Sequence, residues 1–141
     1  MIYLDTSAMV KLVVAEQESV DLIDWLNERV DSNSVGTDEP APLATSTIGR
    51  IELMRTAMRS SAAVVAAARL LLDTVDTLIL TDSIAKAAST FGPPELRTLD
   101  AIHLATADAY RQSITALCAY DHRLLAAARA HDLPVASPGR S

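Results

Sequence analysis

Four acidic residues stand where a chain of alternating strands and helices would gather them: Asp5, Glu52, Asp100 and Asp121. Asp5 closes the short apolar run Met1-Ile2-Tyr3-Leu4, and Asp121 closes Ala116-Leu117-Cys118-Ala119-Tyr120. Glu52 and Asp100 fall in segments patterned as helices, 47–59 and 99–111. Converging carboxylates repel one another unless a proton or a hard cation sits among them. The sequence between these elements offers no compensating cluster of cations. Oxygen donors of this kind suit Mg2+ or Mn2+, so a divalent-metal centre is the first chemistry the pattern suggests.

Each carboxylate also has a plainer role. Asp5 and Asp121 are good N-caps for the helices that follow them, and Asp100 suits the positive end of a helix dipole. Glu52 borders an apolar stripe of Ile48, Ile51, Met54 and Met58, where a solvated Glu paired with Arg55 or Thr56 is ordinary. Asp5-Thr6-Ser7, however, holds more capping groups than one helix needs. His103, one turn after Asp100, reads as a packed, hydrogen-bonded residue rather than a ligand, and Asp108 reads as a surface residue. The set carries more than its members, because it pairs two strand ends with two helix starts.

The elements that position these residues follow from periodicity. Strands are expected at 2–5, 43–46, 77–81, 116–120 and 134–136. Helices are expected at 7–16, 19–30, 47–59, 62–73, 82–90, 99–111 and 121–130, with Asp82 capping the fifth and Thr98 the sixth. The first should bury Met9, Val10, Val13 and Val14, and the second Val20, Ile23, Trp25 and Leu26. Residues 31–42, with Asp, Ser, Asn, Gly and two prolines, read as a mobile loop, Gly92-Pro93-Pro94 breaks the chain, and 137–141 reads as a frayed polar tail. The alternation implies an α/β fold with a mostly parallel sheet of four to five strands and helices on both faces. Ligands bind such sheets beyond the carboxyl ends of the strands, where strand order reverses. If the first and fourth strands flank that point, Asp5 and Asp121 meet there.

Composition narrows the classes. A chain of 141 residues, 50% hydrophobic and 21% charged, is one ordered domain. With 4% aromatic residues it lacks a base-stacking platform. A net charge of −6 argues against gripping nucleic acid through a basic surface and suggests a basic partner. The single cysteine, Cys118, lies in an apolar strand, so no disulfide framework is expected and a reducing cytoplasm is the natural reading. Asp5 precedes any apolar stretch long enough for a signal peptide, and no run is long enough to span a bilayer. The Ala/Val/Leu-rich stretch 62–72, interrupted by Arg69, reads as a buried or interface helix.

Asp5-Thr6-Ser7, the Glu of Ile51-Glu52-Leu53, the run Leu96-Arg97-Thr98-Leu99-Asp100-Ala101-Ile102-His103-Leu104-Ala105-Thr106-Ala107 and Tyr120-Asp121 resemble the PIN domain, and more narrowly the VapC-type toxins of prokaryotic toxin–antitoxin pairs. The match covers nearly the whole chain in order and spacing, and its third motif is the most specific. The resemblance implies a PIN-like three-layer sandwich over 1–136 with a short polar tail, 137–141. It implies a Mg2+-dependent endoribonuclease, with Mn2+ able to substitute, in which metal-activated water hydrolyses RNA. By resemblance Asp5, Glu52, Asp100 and Asp121 are the catalytic and metal-binding residues, with Thr6 and Ser7 in support. Many members carry Ser or Thr shortly before the fourth Asp; Cys118 and Ala119 stand there in this chain. The implied partners are RNA, a second copy of the chain and a VapB-type antitoxin that places an Arg or Lys from its basic tail among the carboxylates.

Two rival readings differ in chemistry. A phosphatase-like hydrolase would use Asp5 as a covalent nucleophile, but such chemistry usually needs an acid two residues later, where Ser7 stands. A catalytically inactive PIN-like module would use the acidic pocket only to dock a basic peptide. Metal-dependent cleavage of RNA separates the readings.

Overall fold

In the computed structural model, which describes residues 1–33 and 42–140, the earliest strand of the chain lies in the middle of the sheet. The strands are β1 (Ile2–Leu4), β2 (Leu43–Ser46), β3 (Asp76–Leu78), β4 (Ala116–Cys118) and β5 (Val135–Ala136). They pair in the order β3-β2-β1-β4-β5, every pair parallel. The helices are α1 (Thr6–Val13), α2 (Ser19–Asn33), α3 (Thr47–Met58), α4 (Ala62–Asp73), α5 (Asp82–Ala88), α6 (Thr98–Ala109) and α7 (His122–Ala130). This is the expected layered α/β architecture, with the reversal of strand order between β1 and β4.

Alternation along the strands divides the core in two. Tyr3 and Leu117 face one layer, with Leu104 and Ala107 of α6 and Leu124, Leu125 and Ala128 of α7. Ile2, Leu4 and Cys118 face the other, with Met9 of α1, Leu22 and Leu26 of α2, Leu53 of α3 and Leu72 of α4. β1 is therefore buried on both faces, which is why it reads as an unbroken apolar run.

Several expectations shift. The first helix ends at Val13, not residue 16, and β3 begins and ends earlier than expected. α2 continues to Asn33, so 31–33 of the expected loop are helical, while 34–41 of that loop lie outside the described residues. Thr81, not Asp82, caps α5 by accepting from Ile84 N–H, and Arg97, not Thr98, is the N-cap residue of α6. Two helix faces also differ. α2 buries Leu22 and Leu26 and leaves Val20 71% exposed. α3 buries Gly49, Leu53 and Ala57, while Met58 is 68% exposed and Ile51 54%. Apolar residues lie on several sides of α3, and Leu53 with the small Gly49 and Ala57 marks the buried face. A Cβ at Gly49 would stand 2.2 Å from Thr45 Oγ1 and 3.2 Å from Met9 Cε, so the helix packs where only glycine fits.

Residues 137–140 of the tail are tied down rather than frayed, and residue 141 lies outside the described residues. Ser137 Oγ donates to the Ala119 carbonyl at 2.7 Å, and Tyr120 O–H donates to the Pro138 carbonyl at 2.8 Å. Arg140 pairs with Glu18 at 3.3 Å, lies over the Tyr120 ring and donates to the Tyr120 carbonyl. Among the described residues no helix is long and apolar enough to cross a membrane.

Candidate active site

The register pairs Leu4 with Cys118, so the chain leaves β1 and β4 side by side at their carboxyl ends. Asp5 N–H donates to the Cys118 carbonyl at 3.1 Å. Asp5 and Asp121 begin the turns that follow, and each caps its helix, accepting from Ala8 N–H and Leu124 N–H at 2.9 Å. Capping and site placement are thus one arrangement, not alternatives.

Asp5 is only 3% exposed. Its Oδ1 takes both the Ala8 amide and the Ser7 hydroxyl, the latter at 2.7 Å. Ser7 Oγ also accepts from Tyr120 N–H at 3.0 Å and so ties Asp5 to the β4 side of the site. Burial pushes the Asp5 carboxyl up to about 6; His103 and the two hydrogen bonds pull it down, and Asp100 repels its charge.

Glu52 enters from α3, but not through the partners expected from its neighbours in sequence. Its Oε1 accepts from Thr6 Oγ1 at 2.7 Å and lies 2.8 Å from His103 Nε2. His103 Nδ1 in turn lies 2.6 Å from the Tyr3 hydroxyl. An ionised Glu52 only accepts, so Nε2 carries the hydrogen between them. Burial raises the Glu52 pKa, yet the bonds from His103 and Thr6 outweigh it and hold the carboxyl below its ordinary range. The phenol of Tyr3 is pushed up by burial and stays protonated. His103 is the packed, hydrogen-bonded residue expected.

Asp100 and Asp121 share a partner that the sequence reading left without a role. Arg97 Nε donates to Asp100 Oδ2 at 3.1 Å and Arg97 Nη2 donates to Asp121 Oδ2 at 3.2 Å. The expectation that no cation balances the carboxylates is therefore corrected. The signal was present: a guanidinium three residues before an acid at a helix start is a natural pair. Cys118 lies buried, with burial pushing its thiol up to about 12, so it adds neither a thiolate nor a hydroxyl to the site. Asp108 pairs outward with Arg111 at 2.6 Å.

The donor set fits a hard divalent cation in kind: every candidate ligand is a carboxylate oxygen, and both bonds fixing Asp5 fall on one oxygen, Oδ1. Among the described residues, no three acidic, His or Cys groups converge closely enough to hold an ion in the present side-chain arrangement.

The family model described as PIN domain matches residues 2–134. Ribonuclease VapC47 of Mycobacterium tuberculosis (strain CDC 1551 / Oshkosh) is 46% identical over 140 residues, covering 99% of this chain and 98% of that protein. The crystal structure of Mycobacterium tuberculosis VapC20, a sarcin-ricin loop cleaving toxin, is similar with a TM-score of 0.64 at 21% identity, covering 90% of this chain and 95% of that one. The structure of VapBC-1 from nontypeable Haemophilus influenzae is similar with a TM-score of 0.64 at 22% identity, covering 96% and 97%.

Proposed function

From the premise that this chain belongs to the PIN domain family, among its VapC-type toxins, we propose that it is a metal-dependent endoribonuclease held in check by an antitoxin. The observation that carries the reading is that Asp5 and Asp121 follow the adjacent carboxyl ends of β1 and β4, where strand order reverses, with Asp100 repelling Asp5 and Glu52 bonded to Thr6. Asp5, Asp100 and Asp121, with Glu52, would hold Mg2+ or Mn2+. Such an ion, when bound, supplies an activated water and offsets phosphate charge.

The chain's own residues do the rest. Ser7 and the Ala8 amide hold one oxygen of Asp5 still, leaving the other to turn to a cation. Thr6 and His103 fix Glu52 Oε1, so its second oxygen can orient a water. Tyr3 holds His103 through Nδ1 and so keeps the ring beside Glu52. Without a cation this face would repel RNA, and a basic antitoxin tail can occupy it for the same reason. A guanidinium is the better fit, because its fork matches paired carboxylates. Homodimerisation through the Leu70 face of α4 and a cytoplasmic location belong to the same reading.

The test is cleavage of structured RNA with Mn2+ or Mg2+. Wild type should cut, EDTA should stop it, and Asp100→Asn should be inactive. RNA left intact under conditions where the ion stabilises the fold would overturn the reading. One observation favours a second reading, an inactive docking module: a guanidinium already sits between two of the acids. That module would bind a basic peptide and cut nothing.

A further inference from the structure

We propose that Arg97 is a built-in counter-cation of the acidic site, a latch that must let go of Asp100 and Asp121 before a divalent ion can be held there. The inference rests on the metal-centre reading given above. Among the described residues, Arg97 is the only Lys or Arg paired with any of the four carboxylates. Its two nitrogens go to two different acids on two different elements, one at the start of α6 and one at the start of α7. The fork thus occupies the space between groups that a shared ion would have to bridge.

The placement also lets it leave. Arg97 precedes the helix in extended backbone and makes no side-chain cap bond, so its side chain has no task in starting α6. It is 65% exposed, whereas Asp100 is 14% and Asp121 30%. Asp121 keeps its bond from Leu124 N–H, Asp100 lies deeper than Arg97, and the cation is at the rim. A fork that swings out remains beside the site, where its five donors suit an RNA phosphate as well as a carboxylate. A compact ammonium could neutralise the same acids but could not bridge them with two directed bonds.

The experiment is calorimetric titration of Mn2+ into the full-length chain, its Arg97→Gln variant and its Arg97→Lys variant. Removing the latch should tighten Mn2+ binding by on the order of tenfold, the scale of two partly exposed ion pairs lost together. Arg97→Lys should fall between the two. The Arg97 Nε–H resonance of the wild type should shift when Mg2+ is added. Arg97→Gln binding Mn2+ as tightly as wild type, or more weakly, would overturn the latch alone and leave a surface ion pair. No heat from any of the three proteins at millimolar Mn2+ would overturn both the latch and the metal centre.

Discussion

Asp5 sets burial against charge. Its carboxyl stands at about 6 in the folded chain against an ordinary value of 3.8, chiefly because water is excluded. The folded state therefore holds its proton more tightly than the unfolded one, and the linkage sign follows. The contribution to stability is fully present below the unfolded value and is lost as pH rises through the folded one. Across that window the metal-free protein should lose roughly 3 kcal/mol from this residue. Asp5→Asn keeps the cap and removes the charge. Without metal it should melt with the wild type near pH 4 and above it at pH 7, as thermal denaturation at the two pH values would show. Equal melting at pH 7 would mean that the buried carboxylate is already compensated. Thr6 offers a smaller test. Thr6→Val keeps its shape but drops the bond to Glu52, which should cost about 1 kcal/mol in urea unfolding and free Glu52 from one of its two anchors.

At the scale of elements, α3 is the instructive case. The order of strands and helices, the placing of Asp5 and Asp121 just after strands, and the helix that carries Asp100 follow from the pattern of apolar runs and turn residues alone. The inner face of α3 does not, because hydrophobicity ranks Ile51 and Met58 above Gly49 and Ala57, whereas close packing selects the small residues. Glu52 lands in the site for that reason: the face holding Gly49 and Leu53 turns inward and carries the adjacent acid to Thr6 and His103. Contacts between residues far apart in sequence, such as Tyr3 with His103 or Arg97 with Asp121, leave no local periodicity to read. Leu53→Ala should cost about 2–5 kcal/mol and Ile51→Ala within about 0.5 kcal/mol of nothing, judged by denaturant midpoints. Gly49→Ala gains helix propensity of up to about 1 kcal/mol. It also drives a Cβ into Thr45 Oγ1, which is held by its bond to the Leu4 carbonyl, so the net effect should be destabilising by roughly 1–3 kcal/mol.

For the whole molecule, the same acids that weaken the empty fold should make it responsive to ligands. A cation that binds only the folded state stabilises it by mass action, by about 2.7 kcal/mol at a hundredfold excess over its dissociation constant. Millimolar Mn2+ should raise the melting temperature of the wild type and leave Asp100→Asn nearly unmoved. A more lasting consequence comes from the place of β1 in the sheet. Leu4 finds its neighbour Cys118 only after the ribosome has made almost everything between them, and Asp5 waits as long for Asp121. At ordinary elongation rates that is on the order of ten seconds. A copy stalled before β4 lacks Asp121 and the strand that sets Asp5 in place, and so has no finished centre. Translation itself delays the appearance of any cutting activity, and a partner translated first would meet each new molecule as it closes.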